Sequence, residues 1–261
     1  MTRIIVCGCF GRLGSAICRL AESNPAVEVV AGVDVMLPDG GLAYPIYTDI
    51  SQCQTPADVA VCVFRPSATA DIEALLEYCA IRQIPLVLCT TGLPDSVQGK
   101  VNIAAKKVAI LQSANMSLGI NLLADMLQRA TKLLYDAGFD IEIIEKHHNQ
   151  KLDAPSGTAY LLADAANHAL DENLKYVNDR SRVKEKRGKR EIGLHAIRGG
   201  TIVGEHSVIF AGQDEVIELK HSALSRDVFA VGALNAAIYI KGKSTGIYGM
   251  QDLIQSIGGN M

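Results

Sequence analysis

The chain has 261 residues, enough for one large or two modest domains with real hydrophobic cores, and its 49% apolar and 20% charged composition excludes a disordered protein. A formal charge of −3 gives no general pull toward nucleic acid or anionic membranes, so the expected partner is a small molecule. No stretch approaches the roughly 18 apolar residues of a membrane span. The opening Met1 to Gly8 is too short an apolar run for a signal peptide. Seven cysteines, all at or before Cys89, include no Cys-x-x-Cys pair, which excludes a zinc spacing and predicts reduced thiols in the cytoplasm.

Arg3 to Val6 reads as a strand, Gly8-Cys9-Phe10-Gly11-Arg12-Leu13-Gly14 as a glycine-spaced turn, and Leu13, Ile17, Leu20 and Ala21 as one face of a helix. Glu28 to Asp34 follows as a second strand ending in a carboxylate. This is the mechanical pattern of a dinucleotide site: glycines admit a pyrophosphate to a helix N-terminus, and an acid roughly 20 residues on receives the ribose hydroxyls. The spacing is Gly-x-x-Gly-x-x-Gly, where Gly-x-Gly-x-x-Gly is commoner.

A third strand is predicted over Asp58 to Phe64, a helix over Ala68 to Ala80, and a fourth strand over Leu86 to Cys89, closed by Thr90-Thr91-Gly92. Strands alternating with helices predict a parallel doubly wound sheet, whose ligands lie at the strands' carboxyl ends. Phe64 and Cys89-Thr90-Thr91 fall at such ends. A fifth strand over Lys107 to Leu111 leads to Ser113-Ala114-Asn115-Met116, and a helix runs from Ile120 to about Ala137.

Phe139 to Ile144 alternates apolar and polar as a strand does, and Ala159, Leu161, Leu162, Ala165, Ala166 and Ala169 recur at helical spacing. Between them stands the densest group of proton-carrying and anion-holding side chains in the sequence: His147, His148, Lys151 and Asp153, then Pro155-Ser156-Gly157-Thr158. A Ser-Gly-Thr turn opening a helix offers unsatisfied N–H groups and the positive end of the macrodipole to a carboxylate. The same residues also suit a plain N-cap, with Ser156 or Asp153 capping and Pro155 opening the helix. Beyond lies a basic run, Asp179 to Arg190, expected as a solvated mobile loop. Glu191 to Arg198, Thr201 to Phe210 and Val216 to Leu219 then alternate like antiparallel strands with turns at Gly199-Gly200 and Gly212-Gln213-Asp214. A last helix runs to Ile240.

The segment His147-His148-Asn149-Gln150-Lys151-Leu152-Asp153-Ala154-Pro155-Ser156-Gly157-Thr158-Ala159 resembles the His-His-x-x-Lys-x-Asp-Ala-Pro-Ser-Gly-Thr-Ala signature of the dihydrodipicolinate reductase family, also called 4-hydroxy-tetrahydrodipicolinate reductases. The Gly-x-x-Gly-Arg-x-Gly opening, Ala114 to Asn121, Arg198-Gly199-Gly200, Val203 to His206 and Ser225 to Ala233 are similar to the family as well. Two positions depart from it: Cys89 where glycine usually precedes Thr-Thr-Gly, and Met116 where an aromatic is usual. The resemblance implies a Rossmann-type parallel domain at residues 1–118 with 228–261. It implies an α+β domain with an open mixed sheet at 119–227, for substrate binding and oligomerisation.

It also implies hydride transfer from NADH or NADPH to the dehydrated form of a dicarboxylic ring acid in lysine and diaminopimelate biosynthesis, by a homotetramer. His147 is then the proton donor, since histidine's ordinary pKa lies nearest neutrality, and Lys151 its cationic partner. His148, Ser156, Gly157 and Thr158 hold the substrate's carboxylates. Gly8 to Gly14, Asp34, Phe64, Cys89, Thr90, Thr91 and Ser113 to Met116 hold the cofactor, and no metal takes part. Asp34 followed by Val35-Met36, with no adjacent base, predicts a preference for NADH. Two other functions fit parts of the pattern: another nicotinamide-dependent dehydrogenase of this architecture, and a non-catalytic dinucleotide sensor.

Overall fold

The computed structural model describes residues 1–37, 42–178, 180–181 and 184–258. In chain order the elements are β1 (Thr2–Cys7), α1 (Arg12–Glu22), β2 (Val27–Val33), β3 (Ile46–Tyr47), β4 (Val59–Cys62), α2 (Thr69–Arg82), β5 (Leu86–Leu88), α3 (Asp95–Ala104) and β6 (Ala109–Gln112). There follow α4 (Leu118–Asp136), β7 (Asp140–His147), α5 (Gly157–His168), β8 (Lys175–Val177), β9 (Glu191–Arg198), β10 (Gly204–Ala211) and β11 (Val216–Ala223). The chain closes with α6 (Asp227–Ile240), β12 (Gly246–Tyr248) and α7 (Met250–Gly258). It divides into two compact units, Met1–Leu118 with Asp227–Met261, and Gly119–Arg226.

The first unit is a seven-stranded sheet in the order β12-β6-β5-β4-β1-β2-β3, parallel at each pairing. Its central strands are apolar at every position because both faces are covered. In β4, Val59 and Val61 pack into the layer that holds α1, α6 and α7, while Ala60 and Cys62 pack into the layer that holds α2 and α3. Strands of two or three residues, β3 and β12, widen the sheet at its two edges.

The second unit is a five-stranded mixed sheet in the order β11-β10-β7-β9-β8. β10 runs antiparallel to β7 and β11, whereas β9 runs parallel to β7 and β8. The predicted Gly199-Gly200 hairpin therefore does not form: β7 is inserted between β9 and β10, and the glycine pair turns the chain across it. Residues of α4 and α5 close one face around Ile141, Ile143, Leu194, Val208 and Phe210. Arg187 of the basic run is tied to β7, with Nε 2.8 Å from Glu142 Oε1 and Nη1 2.9 Å from Asp140 Oδ1, so that part of the expected mobile loop is anchored. Asp179, Arg182 and Val183 of the run lie outside the described residues.

The alternation of β7 positions the chemistry. Ile141, Ile143, Glu145 and His147 point into the helix-covered face and Asp140, Glu142, Ile144 and Lys146 away from it. Two ionisable side chains thus continue an apolar row to the carboxyl end of the strand, where α5 begins.

Candidate active site

In the first unit the glycine turn joins β1 to α1. Gly8 has φ +90°, and a Cβ on Gly14 would lie 2.0 Å from Gly8 O, so only glycine lets α1 pack against its own turn. Gly11 is the N-cap of α1; no side chain caps the helix, and no acid stands in its first turn. The first N–H groups are left for a ligand, as a pyrophosphate requires. Asp34, just past β2, accepts hydrogen bonds from Phe10 N at 2.9 Å and Met36 N at 3.3 Å, which fixes its carboxylate beside the turn. Both residues line a cavity of about 450 Å³ with Gly8, Gly11, Phe64 and Arg65. Among the described residues, Asp34, Asp49 and Asp71 give this cavity three carboxylates against the single guanidinium of Arg65.

Several other residues expected at the cofactor serve the core through their side chains. Cys9 is buried, its thiol pushed up to about 12 by burial, and Leu13, Cys89 and Met116 pack into the same cluster. Thr90 is buried and donates to Phe64 O at 2.9 Å, which ties the ends of β4 and β5 together. Ser113 Oγ donates to Asn115 O at 2.9 Å and Asn115 Oδ1 accepts from Ser117 N, shaping the turn after β6. Thr91 and Arg12 are exposed.

The second unit gathers His147, Ser156 and three residues to which sequence reasoning gave no role: Glu145, Arg198 and His206. Glu145 is fully buried and accepts four hydrogen bonds: from His147 Nδ1 at 2.6 Å, Arg198 Nη1 and Nη2 at 2.7 Å each, and Ser156 N at 3.0 Å. Burial pushes its carboxyl up, but the hydrogen bonds from His147 and Arg198 outweigh that and hold it at about 2. Since a carboxylate only accepts, Nδ1 of His147 carries a proton and Nε2 is left for exchange. A Cβ at Gly204 would come within 3.1 Å of that Nε2.

Ser156 caps α5, its Oγ accepting from Ala159 N at 3.1 Å and pairing with His206 Nε2 at 3.0 Å. With its hydroxyl so engaged and only 2% of the residue exposed, Ser156 can offer little to a ligand, and the open part of the turn is Gly157 with the half-buried Thr158. A Cβ on Gly157 would meet nothing within 4 Å, so the protein's own packing does not ask for glycine there. His206 is buried opposite Glu145, and burial pushes its pKa down to about 4. Lys151 Nζ lies 2.9 Å from Asp153 Oδ1, and His148 Nε2 lies 3.4 Å from Arg226 Nη2. Burial and then the Arg226 charge press His148 toward its neutral form.

An uncapped glycine turn with an acid at the next strand end, together with a second unit carrying a buried carboxylate–histidine pair beside an open anion turn, defines a dinucleotide-dependent oxidoreductase of two units. Comparison with known families narrows the class. Residues 2–116 match the family model "Dihydrodipicolinate reductase, N-terminus" and residues 119–254 the corresponding C-terminus. The chain is 48% identical to the 4-hydroxy-tetrahydrodipicolinate reductase of Clostridium novyi, covering 98% of this chain and 99% of that protein. It is 49% identical to that of Caldanaerobacter subterraneus over the same shares. The chain belongs to the dihydrodipicolinate reductase family. A dipicolinate-bound dihydrodipicolinate reductase from Paenisporosarcina shares the fold at TM-score 0.77 and 24% identity, covering 97% of this chain and 99% of that one. The diaminopimelate dehydrogenase of C. glutamicum shares it more distantly, at TM-score 0.56 and 14% identity, with 96% and 93% covered.

Proposed function

We propose that the chain reduces the dehydrated form of 4-hydroxy-tetrahydrodipicolinate to tetrahydrodipicolinate, with NADH preferred over NADPH and His147 delivering the proton. Family membership makes the chain an NAD(P)H-dependent oxidoreductase of lysine and diaminopimelate biosynthesis. The observation that carries the residue assignment is the His147–Glu145 contact of 2.6 Å, placed where β7 meets the Gly157-Thr158 turn. When bound, the reduced nicotinamide supplies the hydride. Gly157 and Thr158 at the start of α5, with His148, hold the two carboxylates of the ring acid; Lys151 faces the ring nitrogen as negative charge grows there. His147 Nε2 then gives up the proton that the electron-rich ring requires, and Glu145 stabilises the cation before it does so. Three carboxylates around Arg65 would meet a 2′-phosphate with net repulsion, which supports NADH.

The protein is cytoplasmic in this reading, in keeping with its free cysteines. Among the described residues no helix is long and apolar enough to cross a membrane. We place oligomer contacts on the open face of the second sheet, and the family resemblance supports four copies. Substrate-dependent loss of NADH absorbance, abolished by His147→Gln, tests the assignment.

A further inference from the structure

We propose that Glu145 is the positioning residue of the reaction: one buried carboxylate that fixes the proton donor and the anion turn relative to each other. The inference rests on the reading of His147 as the donor. Its basis is the division of labour between the two oxygens. Oε2 receives His147 Nδ1 and Arg198 Nη1, while Oε1 receives Ser156 N and Arg198 Nη2. Ser156 is the cap of α5, so the same side chain sets the ring plane of His147 and the start of the helix whose N–H groups face the substrate. No other described side chain accepts a hydrogen bond from both the histidine and this turn.

The Arg198 contact gives the arrangement a second property. Arg198 Nη1 and Nη2 donate to both oxygens of Glu145 and place a positive charge beside the carboxylate that His147 Nδ1 meets. The remaining charged and titratable groups around the pair are His206 on β10, Lys151 and Asp153 in the loop after β7, and His148 with Arg226. His206 is held neutral by burial, and Lys151 is matched by Asp153. Glu145 and Arg198 therefore act on His147 with opposite signs.

The test is the pH dependence of kcat in two variants. For Glu145→Gln the amide can still accept Ser156 N–H but carries no charge; turnover at neutral pH falls at least tenfold, and the alkaline decline of kcat moves to lower pH. For Arg198→Gln the decline moves to higher pH. Opposite displacements cannot come from general loosening of the fold, which lowers amplitude and leaves the profile in place. A wild-type profile in either variant, or displacements of the same sign, overturns the inference. If neither variant folds, the wild-type chain decides: a strongly deshielded Nδ1 proton resonance must be present and vanish in His147→Gln, and its absence contradicts the proposal. Full activity of His147→Gln would instead overturn the donor assignment itself, so the two failures are distinguishable.

Discussion

In the proposed reading, Asp34 is the residue on which cofactor choice turns. Its carboxylate is fixed by Phe10 N and Met36 N and faces a cavity whose only base, among the described residues, is Arg65. Asp34→Ala should therefore weaken NADH binding about tenfold and narrow or reverse the preference over NADPH, as read by competing binding titrations; NADPH binding far tighter than NADH in the wild type would contradict this. His147→Gln and Lys151→Ala should each cut kcat by roughly two to four orders of magnitude while thermal melting shows a folded protein. Near wild-type turnover in either would displace the chemistry from this stretch. These residues were legible as candidates because their types and spacing carry chemistry on their own. Glu145 was not: in an alternating strand it occupies an inward slot that otherwise reads as apolar, and only the fold shows that Arg198 and His206, 53 and 61 residues on, close around it. Ser156 was assigned to the substrate from its place in the turn, whereas its capping bond and His206 take up its hydroxyl.

Sequence patterning revealed α1, α2, α4 to α6 and strands β1, β2, β4, β6, β7 and β9 to β11, and the three residues of β5 showed only as an unbroken apolar run. β3, β8 and β12 have two or three residues each, too few for a period to show, and α3 carries a polar, weakly patterned sequence. Nothing local distinguishes a glycine pair that turns a hairpin from one that crosses a strand, so the parallel pairing of β9 with β7 depends on long-range packing. Two elements yield predictions of their own. A Cβ at Gly14 would drive α1 off its turn, so Gly14→Ala should lower dinucleotide affinity at least tenfold in a binding titration, with unchanged affinity as the contrary result. The β7–β10 pair should make the second unit acid-sensitive. His206 has a folded pKa of about 4, below its usual 6.5, so the unfolded chain binds the proton first and stability falls as pH drops from about 6.5 toward 4. Glu145, held at about 2, adds stability that is complete above its usual 4.5 and is lost as pH falls from there toward 2. His206→Gln should remove the first loss, worth about 3 kcal/mol at most, in thermal melts between pH 7 and 4; an unchanged pH dependence would count against a neutral buried His206.

For the molecule as a whole, the apolar residues of β10 and β11 divide between the two faces of the second sheet. Strand alternation sends Val208, Phe210, Ile217 and Leu219 to the helix-covered side, and Val208 and Phe210 are fully buried there. The open face of the second sheet carries Ile144, Ile197, Ile209 and Val216 among the ion pairs of Lys146 and Lys220 with Glu205 and of His195 with Glu142. Such a mixed face suits a self-complementary contact about a two-fold axis. Light scattering at micromolar concentration should give about four times the 27.9 kDa of one chain, and a mass near 27.9 kDa would refute the tetramer. In the proposed reaction this chain adds hydride to the dehydrated ring acid with a proton from His147. The direct measurement is nicotinamide absorbance in a coupled assay that generates 4-hydroxy-tetrahydrodipicolinate enzymatically, run on wild type and His147→Gln with each cofactor. Rapid oxidation of NADH, slower oxidation of NADPH and loss of both in the variant are expected. No substrate-dependent oxidation by the folded wild-type protein, or equal rates in the variant, would contradict the proposed reaction.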